Sequence, residues 1–176
     1  MKKGLLVGLS SVFVLAGSLF VVSACGSGVK EVSINDNYIP QTTFVQGNEL
    51  DLSKGRLNVD GALVKMTDSG VTVSGYDKDK LGEQTLTITY RGKEVKLNIE
   101  VVPRFEAQQK YVYFLNEDFE DASPRITVYR DDGSNISIYK DYSNLTWTDF
   151  DTSEAAETVT ISLEYNKDSD HYTGTM

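Results

Sequence analysis

The stretch EQTLTITYRGKEVKLNIEV, residues 83–101, constrains this chain more than any other. Leu86, Ile88 and Tyr90 share one face of an extended strand, and Thr85, Thr87 and Thr89 share the other. After Arg91-Gly92, residues Val95, Leu97, Ile99 and Val101 alternate with polar neighbours in the same way. A period of two on both arms of a short glycine turn predicts an antiparallel hairpin with one packed face and one wet face.

The same signature recurs from Val29 onward. Alternating or β-branched runs cover Val29–Ile34, Thr42–Gln46, Arg56–Val59, Leu63–Met66 and Val71–Val73. They continue at Tyr111–Leu115, Arg125–Arg130, Ile136–Tyr139, Leu145–Thr148 and Thr158–Tyr165, with a short last strand over Tyr172–Met176. Asp60-Gly61, Asp68-Ser69-Gly70, Asp131-Asp132-Gly133 and similar clusters separate them. No long segment has a helical period, so many short strands predict an all-β sandwich or barrel.

The pattern is internally repeated. Tyr76-Asp77 aligns with Phe150-Asp151, Thr85–Ile88 with Thr158–Ile161, and Leu57–Val59 with Ile126–Val128. A period of about 74 residues predicts two copies of one small β domain, residues 29–103 and 104–176, the second divergent and shorter at its end.

Residues 42–102 resemble the bacterial immunoglobulin-like domains. The resemblance rests on Phe44-Val45-Gln46-Gly47-Asn48-Glu49-Leu50-Asp51-Leu52, and on Gly75-Tyr76-Asp77 followed by Gly82-Glu83-Gln84-Thr85-Leu86-Thr87-Ile88-Thr89-Tyr90. The second copy keeps Phe150-Asp151 and Thr158–Ile161 but lacks the Gly-Gln pair. The resemblance implies two tandem immunoglobulin-like β-sandwiches, building blocks of cell-surface proteins that are not enzymes.

The start of the chain has another character. Lys2 and Lys3 precede an uncharged run from Gly4 to Val22, as in a secretory signal helix. Val22-Ser23-Ala24-Cys25 resembles the lipobox of bacterial lipoproteins. That resemblance implies a signal peptide over residues 1–24, cleavage between Ala24 and Cys25, and an acyl lipid on Cys25. Gly26-Ser27-Gly28 then reads as a short flexible tether. The expected location is the outer face of the bacterial cell membrane.

Charge narrows the partners. Residues 1–24 hold two lysines and no acid, so the remainder carries 15 basic and 26 acidic side chains, net −11. Such a surface repels phosphate backbones and anionic headgroups, which argues against nucleic-acid binding and leaves the lipid as the membrane contact.

Catalytic chemistry has little to work with. The only histidine is His171, six residues from the end, and the only cysteine is the predicted anchor. That set supplies neither a nucleophilic triad nor a zinc site. No cofactor is expected. A weak calcium candidate is the oxygen-rich Asp131 and Asp132, although Asp132-Gly133 also reads as a hairpin turn. The second copy is rich in aromatic residues, most of which are expected to fill its core. Tyr139 and Tyr142 flank a turn and are the better candidates for exposure; with Trp147 they form a candidate contact set for an unknown protein or glycan. The sequence therefore points to a lipid-anchored, non-catalytic binding or presentation module. Its alternatives are an adhesin that uses the aromatic second domain, and a structural spacer or fragment of a larger surface protein.

Overall fold

The computed structural model describes residues 28–176; the signal, cleavage and lipidation assignments at Ala24 and Cys25 lie outside the described residues. Thirteen strands and no helix are present among them. The described residues are all-β, as the alternating runs predict.

Seven strands build the first unit: β1 (Val32–Ile34), β2 (Thr43–Val45), β3 (Arg56–Val59), β4 (Ala62–Lys65), β5 (Val71–Ser74), β6 (Gly82–Tyr90) and β7 (Lys93–Val102). They form two sheets, β1-β3-β4 and β2-β7-β6-β5. All pairs are antiparallel except β2 with β7, which runs parallel from Thr43 opposite Glu100 to Val45 opposite Val102. Leu57 and Val59 of one sheet meet Leu86, Ile88, Leu97 and Ile99 of the other in one buried cluster. The hairpin of residues 83–101 is the longest ladder, nine pairs from Gly82 opposite Val101 to Tyr90 opposite Lys93. Arg91 and Gly92 both have positive φ, the mirror-image turn that matches the twist of paired strands.

Six strands build the second unit: β8 (Phe105–Ala107), β9 (Ile126–Tyr129), β10 (Asn135–Ile138), β11 (Leu145–Thr148), β12 (Ser162–Lys167) and β13 (Asp170–Thr175). Their sheets are β8-β9-β10 and β11-β12-β13, all antiparallel. A separate cluster holds them together: Phe105, Ile126, Val128 and Ile138 from one sheet, Leu163 and Tyr165 from the other, with Phe119 between.

One expected strand is absent and another is shortened. Tyr111–Leu115 pairs with no strand, and of Thr158–Tyr165 only Ser162 onward joins the β12 ladder. One strand, β8, is not signalled by the pattern: it is three residues long and begins two residues after Pro103.

Candidate functional site

The two unpaired segments face one another. Together they line an open groove of about 810 Å³, within the usual span of ligand pockets. Tyr111, Val112, Tyr113, Phe114 and Leu115 form one wall, and residues 154–159 with Ile161 form the other. Phe119, Phe150 and Met176 close the floor and one end. Val112 is 81% exposed and Phe114 74% exposed, and Leu115 and Val159 are also open to water. Four large apolar residues around one groove form a contiguous apolar patch, the type of surface that marks an interaction site.

Matching hydrogen bonds identify the first wall with β2. The N–H of Gly47 donates to the Lys78 carbonyl at 2.9 Å, and the N–H of Asn116 donates to the Thr152 carbonyl at 3.0 Å. Asn48 N–H donates to Val45 O, and Glu117 N–H to Phe114 O. Phe44 packs edge-on against Tyr76 at 5.5 Å, and Tyr113 edge-on against Phe150 at 4.8 Å. Gly47 and Asn116 both adopt positive φ, which glycine and asparagine tolerate best. Tyr113 is therefore the counterpart of Phe44, and Val112–Phe114 the counterpart of β2. Burial pushes the Tyr113 phenol up to about 12, aided by nearby tyrosines and acids.

The backbone of this groove is underused. Phe114 N–H is taken by the Glu117 carboxylate at 2.7 Å. The N–H groups of Val112, Tyr113, Leu115, Thr158 and Val159 have no partner among the described residues. At the groove's end Ile161 and Met176 exchange two hydrogen bonds of 3.1 Å, the last rung of the β12–β13 ladder.

The aromatic contact set does not assemble on one surface. Tyr142, expected to be exposed, is 8% exposed: its hydroxyl donates to the buried Pro124 carbonyl at 2.6 Å, and burial raises its pKa. Trp147 is half-buried against Phe119 and Tyr142. Only Tyr139 lies open, 42% exposed, with the Arg125 guanidinium 4.5 Å from its ring centroid. A turn-flanking position in the sequence does not tell which way a ring points, and here the apolar cluster under Pro124 claims Tyr142.

Asp131 and Asp132 are committed to protein partners. Asp131 accepts from Arg104 at 2.5 Å and from Asn48 at 3.1 Å, and its carbonyl accepts from Gln41 at 3.0 Å. Arg104 and Asn48 together hold its carboxyl below the ordinary carboxylate range. Asp132 turns back onto the Ser134 hydroxyl and N–H. Asp131 is thus a latch between the first unit, the start of the second and the Arg130–Ser134 turn. No group of three metal-ligating side chains occurs among the described residues. His171 lies 3.6 Å from Glu164 on the exposed side of the β12–β13 hairpin, and no hydroxyl nucleophile is bonded to it among the described residues.

The comparisons bear on the first unit. The family model described as "Bacterial Ig-like domain (group 3)" matches residues 39–101. Residues 39–101 are thus similar to a bacterial Ig-like domain. That segment spans β2 through most of β7, including the parallel pairing of the domain's edge strand. The chain is also similar to a solution structure described as that of "a putative surface protein", at 34% identity over 47% of this chain and 96% of the other, with a TM-score of 0.31. No curated protein matches the chain.

Proposed function

We propose that the chain is a lipid-anchored surface protein whose Ig-like units bind or present ligands without catalysis. The observation that carries this reading is Val22-Ser23-Ala24-Cys25, placed directly behind an uncharged run that opens with two lysines. One acyl chain anchors only marginally and two anchor stably, so a cysteine at the new N-terminus suits multiple acylation. The Gly26-Ser27-Gly28 tether separates the lipid from Val29, the first buried residue of the sandwich. The Ig-like family match supports a surface module, and the open groove of the second unit supports binding over mere spacing.

Changing Cys25→Ser in a bacterial host tests the anchor. Release of the protein from the membrane fraction into the medium is the expected result. Retention in that fraction would refute the lipoprotein reading and leave the Ig-like fold untouched.

A further inference from the structure

The outward face of β2 and β7 carries apolar residues that the first sandwich does not use. Phe44 and Val101 point into its cluster, so Val45 and Val102, the next residue of each strand, point away from it. The two valines sit opposite each other in the ladder. On an isolated sandwich that face would be wet. Yet Val45 is 2% exposed and Val102 5%, and neither belongs to either apolar cluster.

The second unit stands against that face. Thr43 lies two residues before Val45, and Glu100 two before Val102, so both share the outward side. A Cβ at Gly133 would come within 2.5 Å of the Thr43 carbonyl oxygen and 3.2 Å of the Thr43 Cβ, so the Arg130–Ser134 turn rests directly on β2. That strand is the edge of its sheet. The Thr42 carbonyl accepts from Glu100 of β7, so the Thr43 carbonyl points the other way, to the free edge. There the Gln41 side-chain amide donates to it at 2.7 Å and to the Asp131 carbonyl at 3.0 Å, which ties the turn to the edge. The charge of Glu100 reaches the Tyr129 phenol. Burial first, then the Glu106 carboxylate and then that of Glu100 push this phenol up to about 12.

The linker leaves little slack. Only Pro103 and Arg104 stand between the end of β7 and the start of β8. Proline fixes one torsion. The Arg104 carbonyl accepts from the Tyr129 N–H at 3.0 Å, and its guanidinium lies 4.7 Å from the Tyr172 ring centroid. Relative motion is the default for units that share a small polar contact; an apolar contact beneath a tied linker opposes it.

We propose that the two units form one rigid body, locked by the Arg130–Ser134 turn packed on Val45, Val102 and the free edge of β2. The lock holds the second unit at one angle to the first, so whatever that unit carries is presented in one direction. It also covers an edge that would otherwise be open to pairing with another chain. The lock is independent of the proposed anchor, because a lipid on Cys25 neither sets nor needs the angle between the units.

The test measures amide residual dipolar couplings of the full-length protein in neutral detergent. Couplings from both units are expected to fit one alignment tensor. Val45→Glu sets a charge against the turn and leaves the first unit's cluster untouched. It should abolish the common fit, each unit then needing its own tensor, with the Leu86 and Leu163 amide shifts unchanged. Where Val45→Glu does not fold, the triple variant Gln41→Ala, Val45→Thr, Asp131→Ala adds no charge and keeps a β-branched residue in β2; the same loss is expected of it. Asp141 makes a similar turn bond to the Ser143 N–H in the β10–β11 loop, so Asp141→Ala should keep the common tensor. Separate tensors in the parent protein, a common tensor in a folded lock variant, or separate tensors in Asp141→Ala would overturn the proposal.

Discussion

Tyr142 provides the sharpest test of whether the second unit's aromatic residues are core or contact surface. Its hydroxyl is bonded to the carbonyl of Pro124, one of the most deeply buried residues, at 2.6 Å. Its ring lies edge-on to Phe119 at 6.1 Å and to Trp147 at 6.4 Å. Tyr142→Phe keeps the ring and strands the carbonyl. Leaving a buried acceptor without its donor costs about 1–3 kcal/mol. Tyr142→Ala also removes the ring and opens a cavity, for about 3–5 kcal/mol. A domain of 60–100 residues loses roughly 4–8 °C of melting temperature per kcal/mol. Tyr142→Phe should then melt about 10 °C lower, and Tyr142→Ala should be unfolded or nearly so at 37 °C. Trp147 is the only tryptophan and touches this cluster, so its fluorescence reports the second unit's unfolding directly. Tyr139→Ala is the control: the ring is exposed, and its stacking on Arg125 is worth about 0.5–1 kcal/mol. If Tyr142→Phe melted within a degree of the parent, or Tyr142→Ala stayed folded and lost only ligand binding, the core assignment would be wrong.

Two further tests probe the first unit and its junction. Gly75 has φ of +95°, and a Cβ there would come within 2.6 Å of the Thr85 carbonyl oxygen, so Gly75→Ala should lose more than the roughly 1–2 kcal/mol of the left-handed backbone alone, read by thermal unfolding. Asp131 titrates below its ordinary value through Arg104 first and Asn48 second; its stabilising effect is present above about pH 4 and is lost as pH falls through the lowered value. Because its side chain is 68% exposed, Asp131→Asn should lower the melting temperature by only a few degrees near pH 7, with the gap closing in acid; a gap that widened in acid would refute the latch.

The strand class was legible because burial writes itself into alternation. Leu86 and Ile88 are fully buried and the threonines beside them are not, and no neighbouring chain is needed to see it. Pairing is a different matter. Tyr111–Leu115 and Thr158–Ile161 have strand-forming composition but are not strands, because a ladder also needs a partner and composition is silent on that. Asp131 was illegible for a related reason: its turn-like sequence context hides partners 27 and 83 residues away at Arg104 and Asn48. Phe105–Ala107 was missed because three residues beside a proline carry too little periodicity to stand out.

The apolar residues on the groove's first wall bear on whether it is an empty seat or a worn edge. An antiparallel strand with one wet face alternates, whereas one covered on both faces reads as a continuous apolar run. Val112, Tyr113, Phe114 and Leu115 are such a run, yet three of the four are largely exposed. In the first unit Phe44 and Val45, consecutive residues of the matching strand, are each 2% exposed. The second unit thus has the sequence of a four-stranded sheet and the structure of a three-stranded one. A worn edge would have no reason to hold apolar residues on both faces, because charges and prolines protect free edges better.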